Sequence, residues 1–76
     1  MTIEMALRRR ITELKNERGI SICKWCLTSG VSPASIYDLM KNRTEVLKIS
    51  TIKQLCIGIN ITLSEFFSPE YFNDYE

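Results

Sequence analysis

Two cysteines three residues apart are the side chains in this sequence whose types and spacing most readily indicate chemistry. Cys23 and Cys26 lie in the stretch "ICKWC", a spacing that occurs in metal sites and redox dithiols. A structural zinc site needs four Cys or His ligands, and this chain of 76 residues has three cysteines and no histidine. The redox motif belongs in a βαβ unit, for which the sequence shows no strand pattern. We therefore interpret Cys26 as a small buried residue and Cys23 as a partly exposed one, and we expect no metal and no cofactor.

The composition indicates one small globular domain. Hydrophobic residues make up 45% of the chain and charged residues 25%, which are ordinary shares for a folded protein. No apolar run approaches the roughly 20 residues that a membrane span requires. The N-terminal stretch "MTIEMALRRR" is charged where a secretory signal would be apolar, and the odd number of cysteines does not fit a disulfide scaffold. The expected location is the cytoplasm.

The charges are unevenly distributed along the chain. Residues 1–63 hold all ten Lys and Arg against five acids, a balance of +5. Residues 64–76 hold four acids and no base, a balance of −4, so the net charge of +1 conceals a basic body with an acidic tail. A basic body is compatible with nucleic-acid binding.

The spacing of apolar residues predicts five short helices and no sheet. The apolar face of the first helix is Ile3, Leu7, Ile11 and Leu14. A fourth helix begins near residues 48–50, and its predicted buried side is Ile49, Ile52, Leu55, Cys56 and Ile59. Ile57 lies on the other side of that helix, where a monomer would place a polar residue.

Local signals predict where the helices begin and end. Gly19 and Gly30 end the first two helices in the left-handed conformation. Three of the later helices are predicted to begin at a hydroxyl N-cap. Ser21 caps the second helix, Ser32 the third and Thr62 the fifth. Pro33 suits the first position of the third helix, and Glu65 completes a capping box with the threonine.

The second and third helices are predicted to form a helix-turn-helix. Cys26 is the small residue where the two helices cross, and Gly30 supplies the positive φ of the turn. The residues expected to fold the third helix onto Trp25 are Val31, Ile36 and Leu39.

From about Arg10 to Phe67 the chain resembles the lambda-repressor-like, or XRE-type, helix-turn-helix family. "RITELKNERGIS" is similar to the first helix of that family, "WCLTSGVSPASIYDL" to its helix-turn-helix, and "ISTIKQLCIGINITLSEFF" to its closing helices. The resemblance implies an all-α, compact five-helix DNA-binding domain over residues 1–68, acting as a transcriptional regulator, with repression as the expected role. Residues 69–76 would be a short acidic aromatic C-terminal tail.

Four positions depart from the family pattern. Ile22 stands where the family often has a glutamine that contacts phosphate, and Ser29 stands where an apolar residue is usual. Lys15 and Met40 replace an arginine and glutamate that commonly pair, so both partners of that ion pair are absent together.

A recognition helix over about residues 32–42 would lie in the major groove. Ala34 could contact a thymine methyl and Asp38 could accept from cytosine N4, although a solvated Asp38 is equally expected. Lys41 and Arg43 suit phosphate contact. The predicted contact set is Ser21, Ile22, Ser32, Pro33, Ala34, Ser35, Tyr37, Asp38, Lys41, Asn42 and Arg43.

The sequence also bears on enzymatic activity, on an alternative function and on self-association. The chain lacks histidine, a convergent carboxylate pair and a phosphate-binding glycine loop, so we expect no enzyme. The alternative function is an antitoxin or a protein-interaction module with the same fold, whose C-terminal tail binds a protein partner. A homodimer is expected through Ile57, Ile61, Phe66 and Phe67, unless the tail folds back and covers these residues.

Overall fold

The described residues, 2–43 and 47–73, form five α-helices and one short 3-10 helix in the computed structural model. The elements are α1 (Ile3–Arg18), α2 (Ile22–Ser29), α3 (Pro33–Met40), α4 (Ile49–Gly58), α5 (Leu63–Phe66) and the 3-10 helix (Glu70–Asn73). These two ranges contain no strand, so the predicted all-α class is confirmed. The Cα radius of gyration is 11.6 Å, close to the roughly 11 Å of a compact chain of this length.

One hydrophobic core joins all five helices. α2 packs on α3 and α4, α4 on α5, and α1 on α3 and the 3-10 helix. Trp25 is 2% exposed, and its indole N–H donates to the carbonyl of Leu55 at 2.9 Å. That carbonyl is among the last four of α4, which have no partner within the helix. The predicted core position of Trp25 is therefore confirmed.

The cysteines are packed as the sequence indicates. Cys26 and Cys56 are buried in the core, whereas Cys23 is exposed. Burial raises the pKa of the Cys26 thiol, with a further contribution from Cys23, and burial likewise raises the pKa of the Cys56 thiol. Both buried thiols therefore stay protonated and behave as small apolar residues.

Two residues predicted to be buried lie outside the core. Ile3 and Ile49 are 56% and 63% exposed. Each stands at the first position of its helix, ahead of the turns that carry the packed residues. On α1 the core residue nearest the N-terminus is Ala6, which is 1% exposed.

Hydroxyl caps begin three helices. Each accepts a backbone N–H three residues later, with Thr2 accepting from Met5 at 3.3 Å, Ser21 from Lys24 at 3.1 Å and Thr62 from Glu65 at 3.0 Å. The predicted caps of α2 and α5 are thus confirmed. Ser32 occupies the N-cap position of α3, but its side chain makes no capping hydrogen bond, which corrects the expected role of this hydroxyl. Pro33 follows it in the first turn, where a missing N–H is tolerated.

The first four helices end in one common motif. The residue after the last turn is left-handed in each case, namely Gly19, Gly30, Asn42 and Asn60, with φ of 61°, 73°, 60° and 59°. The next residue donates its N–H to the carbonyl five positions back. These bonds are Ile20 to Lys15 at 3.1 Å, Val31 to Cys26 at 2.9 Å, Arg43 to Asp38 at 2.8 Å and Ile61 to Cys56 at 3.0 Å. This is the Schellman pattern. The two predicted glycine stops are confirmed, and the two asparagine stops were not predicted.

α2 and α4 approach most closely where Ser29 lies over Gly58. A β-carbon on Gly58 would stand 1.9 Å from Ser29 Oγ and 2.9 Å from Ser29 Cβ. Ser29 is 6% exposed, and its hydroxyl has no hydrogen-bond partner in the part of the chain that the structure describes. Only a glycine on α4 permits this crossing.

Three consecutive arginines on α1 each contact a different later element. Arg8 Nη1 reaches the carbonyl of Leu39, near the end of α3, at 3.5 Å. The guanidinium of Arg9 lies 4.4 Å from the centre of the Tyr71 ring. Arg10 donates from Nε to the carbonyl of Phe66 at 2.7 Å and from Nη2 to that of Glu65 at 2.8 Å, which satisfies the end of α5.

The 3-10 helix lies against α1. The Tyr71 hydroxyl donates to Glu13 Oε1 at 2.6 Å, and the Phe72 ring centre is 5.0 Å from that of Phe67 and 6.2 Å from that of Phe66. The described part of the predicted tail is therefore folded onto the domain. Residues 74–76 of that tail lie outside the described residues.

The contact between Tyr71 and Glu13 predicts a distinct pH dependence. Burial, followed by the hydrogen bond to Glu13, raises the pKa of Tyr71 to about 12. Because the pKa of Tyr71 is higher in the folded protein than in the unfolded chain, protonated Tyr71 stabilises the fold. This stabilisation is complete below the ordinary tyrosine pKa of about 10 and is lost as the pH rises towards 12. The hydrogen bond from Tyr71 lowers the pKa of Glu13, whose contribution is present above its usual value of 4.5 and is lost as the pH falls further.

We expect Tyr71 to ionise only near pH 12, as measured by the ultraviolet absorbance of tyrosinate. Tyr71→Phe should remove this late step and lower stability by about 1 kcal/mol, because a partly exposed hydrogen bond is lost. Tyr37→Phe is the matched control and should leave the late step in place. Ionisation of all the tyrosines in one step would contradict the contact.

Candidate functional site

The exposed side of α3 carries most of the predicted contact residues. The opposite side of this helix is held in the core by Ile36 and Leu39. The outward residues near its start are small, since Ala34 and Ser35 are both exposed. The remaining outward positions are Ser32, Pro33, Tyr37 and Asp38, which range from half-buried to exposed. A helix with small residues on its outer side allows another molecule to approach its backbone closely.

The turn after α3 presents two cations on a fixed backbone. Residues 41–43 are all exposed. Asn42 is left-handed and donates its N–H to the carbonyl of Leu39 at 3.2 Å. Arg43 Nη1 lies 3.8 Å from Asp38 Oδ1, and the two side chains are 67% and 46% exposed. The predicted residues 32–35, 37, 38 and 41–43 are thus exposed or half-buried.

The start of α2 supplies a second, smaller group. Ser21 is exposed, and its hydroxyl accepts the N–H of Lys24, whose side chain is also exposed. Ile22 is half-buried and packs against the core. The contact of Ile22 with DNA stays a prediction; its side chain supports the fold, and its backbone N–H stands at the start of α2.

An apolar groove lies beside α4 on a different part of the surface. Ile57 is 59% exposed, which confirms that it lies away from the buried side of α4. The groove has a volume of about 470 Å³ and is lined by Lys53, Cys56, Ile57, Ile61, Thr62, Leu63 and Ser64. Leu63 was missed as a lining residue because the helix period around residues 61–63 is broken by the left-handed Asn60.

Two residues of the expected dimer interface have other contacts. Phe66 is 0% exposed, so its place in an interface needs correction. Phe67 is half-buried, and its ring centre lies 4.9 Å from that of Phe66. The Phe72 ring packs against both of these rings, and Arg10 donates to the backbone carbonyl of Phe66. The folded tail therefore covers the phenylalanines, whereas it leaves Ile57 exposed.

No convergent set of metal ligands occurs in residues 2–43 and 47–73, where no three His, Cys, Asp or Glu side chains meet. Over the same ranges, no helix has both the length and the apolar character needed to cross a bilayer. Comparison with family models, with curated proteins and with solved structures found no match to this chain.

Proposed function

We propose that this protein is a small transcriptional regulator that binds double-stranded DNA through a helix-turn-helix. Its first helix is α2, its turn is residues 30–32, and its recognition helix is α3. The observation that supports this most is the two-sidedness of α3, which is anchored by Ile36 and Leu39 and exposes the small residues Ala34 and Ser35 near its start. An α-helix of this kind fits the major groove of B-DNA.

The proposal assigns base contacts to the first turns of α3. Ala34 is exposed and small, so it can meet a thymine methyl group. The Ser32 hydroxyl makes no capping bond within α3, and it is exposed at the end of the helix that would enter the groove. Ser35 lies beside it on the outer side. These side chains favour recognition by close fit and short hydrogen bonds.

Phosphate contacts are assigned to Lys41, Arg43 and the start of α2 at Ser21. The Schellman motif holds the first two at the end of α3. The N-terminus of α2 adds backbone N–H groups, which favour an anion. Arg10 is engaged by two carbonyls of the fold, so a simple count of positive charges overstates the basic surface. With so few cations on one copy, tight binding requires two copies.

We expect Lys41→Ala to weaken binding to all DNA sequences alike and to lower the salt slope by about one, because one phosphate contact is lost. The measurement is affinity against salt concentration, on a duplex selected from random sequences and on a scrambled one. Lys15→Ala is the matched control, since the Lys15 side chain lies on α1 and donates to its neighbour Asn16 at 3.2 Å. Failure of the wild-type protein to enrich any sequence would contradict the proposed function.

The proposed regulator is a homodimer that pairs through the groove beside Ile57. Ile57 is exposed and is one of the residues that line this groove. In a dimer with two-fold symmetry, each copy can therefore place its Ile57 in the groove of the other copy, beside Ile61 and Leu63. A two-fold dimer would present two recognition helices to successive major grooves, about 34 Å apart. The operator would then be palindromic.

Ile57→Glu is expected to convert the dimer to a monomer, because a charge would enter an apolar contact. Light scattering at micromolar concentration measures the mass, and affinity for the selected duplex should fall by about 100-fold as the second copy is lost. Ile3→Glu changes another exposed isoleucine, 56% exposed on α1, and should alter neither quantity. A monomeric wild-type protein, or an unchanged dimer in Ile57→Glu, would place the interface elsewhere.

An antitoxin or protein-interaction module remains the alternative. Such a module would use the tail or the groove beside Ile57 to bind a different protein. Selection of duplexes from random sequences distinguishes it from the proposed regulator, since a module without DNA binding would enrich no sequence. A DNA-binding regulator acts where the DNA is.

A further inference from the structure

One of the four Schellman helix ends differs from the others in the residue that follows the left-handed position. Ile20, Val31 and Ile61 follow the left-handed residues of α1, α2 and α4, and all three pack against the core. Such an apolar contact commonly accompanies this motif. At the end of α3 the corresponding residue is Arg43, whose side chain is 67% exposed. This helix end lacks the usual apolar contact and presents a cation instead.

The same motif sets Arg43 directly opposite Asp38. The backbone N–H of Arg43 donates to the carbonyl of Asp38 at 2.8 Å, so the two residues are joined independently of their side chains. Their side chains then meet at 3.8 Å, with 46% of the Asp38 side chain exposed. An ion pair this exposed is weak and opens readily when a better partner arrives. Phosphate is such a partner for an arginine.

We propose that Asp38 and Arg43 form a switch that discriminates between DNA sequences, which rests on the proposed DNA binding. In the unbound protein Asp38 holds Arg43. On a sequence that places a cytosine opposite α3, Asp38 accepts a hydrogen bond from cytosine N4 and Arg43 is released to a phosphate. On other sequences release would leave an unpaired carboxylate beside the phosphates, so the pair stays closed and the phosphate contact is not made.

This switch predicts a difference in salt dependence between sequences. Each phosphate contact adds about 0.9 to the salt slope on B-DNA. The wild-type protein should therefore show a steeper slope on its operator than on a scrambled duplex, by about one for each copy bound. A fixed phosphate contact at Arg43 would instead contribute equally on both duplexes.

The test compares wild type, Asp38→Asn and Arg43→Ala on the selected operator and on a scrambled duplex over a range of salt. Asp38→Asn should bind the scrambled duplex about 10-fold more tightly, with a slope higher by about one, and should lose its preference at one base pair. Arg43→Ala should lower the salt slope on the operator by about one and leave the slope on the scrambled duplex unchanged, while the unpaired Asp38 weakens binding to both. Glu17→Gln is the matched control, since this acid also lies near an arginine, 3.7 Å from Arg18. It makes the same change in charge and should keep the wild-type ratio of the two affinities.

Three outcomes are separable. If Asp38→Asn and Glu17→Gln change both affinities by the same factor, Asp38 acts only as a surface charge and the switch is overturned. If Arg43→Ala lowers the salt slope equally on both duplexes, Arg43 is a fixed phosphate contact and the switch is again overturned, while the proposed function stands. If wild type prefers no sequence, the proposed function fails and the switch fails with it. Thermal unfolding of each variant should match wild type, because the backbone bond from residue 43 to residue 38 is retained.

Discussion

Replacing Gly58 with alanine should lower the free energy of unfolding by about 3 kcal/mol, a large loss for a small domain. The added β-carbon would lie 1.9 Å from Ser29 Oγ and 3.2 Å from Ser29 Cα, so a rotation of the serine side chain cannot clear the space. The backbone of Gly58 has no positive φ, and alanine alone would favour the helix by about 1 kcal/mol. The expected loss is therefore steric, and it measures how closely α2 and α4 approach.

Ser29 provides the matched controls for this prediction. Ser29→Ala should stabilise the protein by about 1 kcal/mol, since it removes a buried hydroxyl without a hydrogen-bond partner among the described residues. In the Gly58→Ala background, Ser29→Gly should recover more stability than Ser29→Ala, because the serine Cβ at 2.9 Å is also removed. Urea unfolding measures all of these variants. A Gly58→Ala variant as stable as wild type would show that the two helices are not in contact there.

Arg10→Met should also destabilise the fold by about 3 kcal/mol. Methionine keeps the apolar stem but removes the donor at 2.7 Å from the Phe66 carbonyl and the one at 2.8 Å from the Glu65 carbonyl, which still accepts from the Ser68 hydroxyl at 2.9 Å. Hydrogen bonds from a charged donor contribute about 1.5–3 kcal/mol each, and the Arg10 side chain is only 12% exposed. The stability of Arg10→Lys should fall between that of wild type and that of Arg10→Met, because an ammonium group cannot match the paired donors of a guanidinium.

Arg9→Met is the control for this second prediction. Arg9 is the adjacent residue, but its side chain is 55% exposed and its contacts to Glu13 and Tyr71 lie at the surface. Its loss should reduce stability by less than about 1 kcal/mol. The measurement is denaturant unfolding at neutral pH. Equal losses for the two variants would mean that the end of α5 does not depend on Arg10.

Features encoded within four residues of each other were predictable from the sequence. Ser21 and Thr62 begin their helices as expected, and Gly19 and Gly30 end theirs. Helical spacing also placed Ile57 outside the core and the buried side of α3 inside it, since the direction of a side chain on a helix follows from its position in the turn. The stop at Asn60 had a detectable signal in the aliphatic residue that follows it.

Features that depend on distant residues were not predictable. Periodicity predicts which side of the helix Ile3 and Ile49 lie on, but it does not show whether other residues pack against that side at the first turn. Both residues were therefore wrongly placed in the core. Phe66 was assigned to an interface because nothing near it in the sequence indicates that Arg10 and the tail cover it. The same limit applies to the site, where the close approach of Arg43 to Asp38 depends on an asparagine stop that the helical pattern does not reveal.

The arginine contacts of α1 also determine the order in which the native state is assembled. Arg10 and Glu13 reach residues 55, 56 and 58 positions later, so these hydrogen bonds close long loops. Closing such loops has an entropic cost that shorter-range contacts within α2, α3 and α4 avoid, so the transition state should form without them. Arg10→Met should accordingly unfold faster while it refolds at nearly the wild-type rate. The lifetime of the folded protein, rather than the speed of its formation, is then governed by one turn of the first helix.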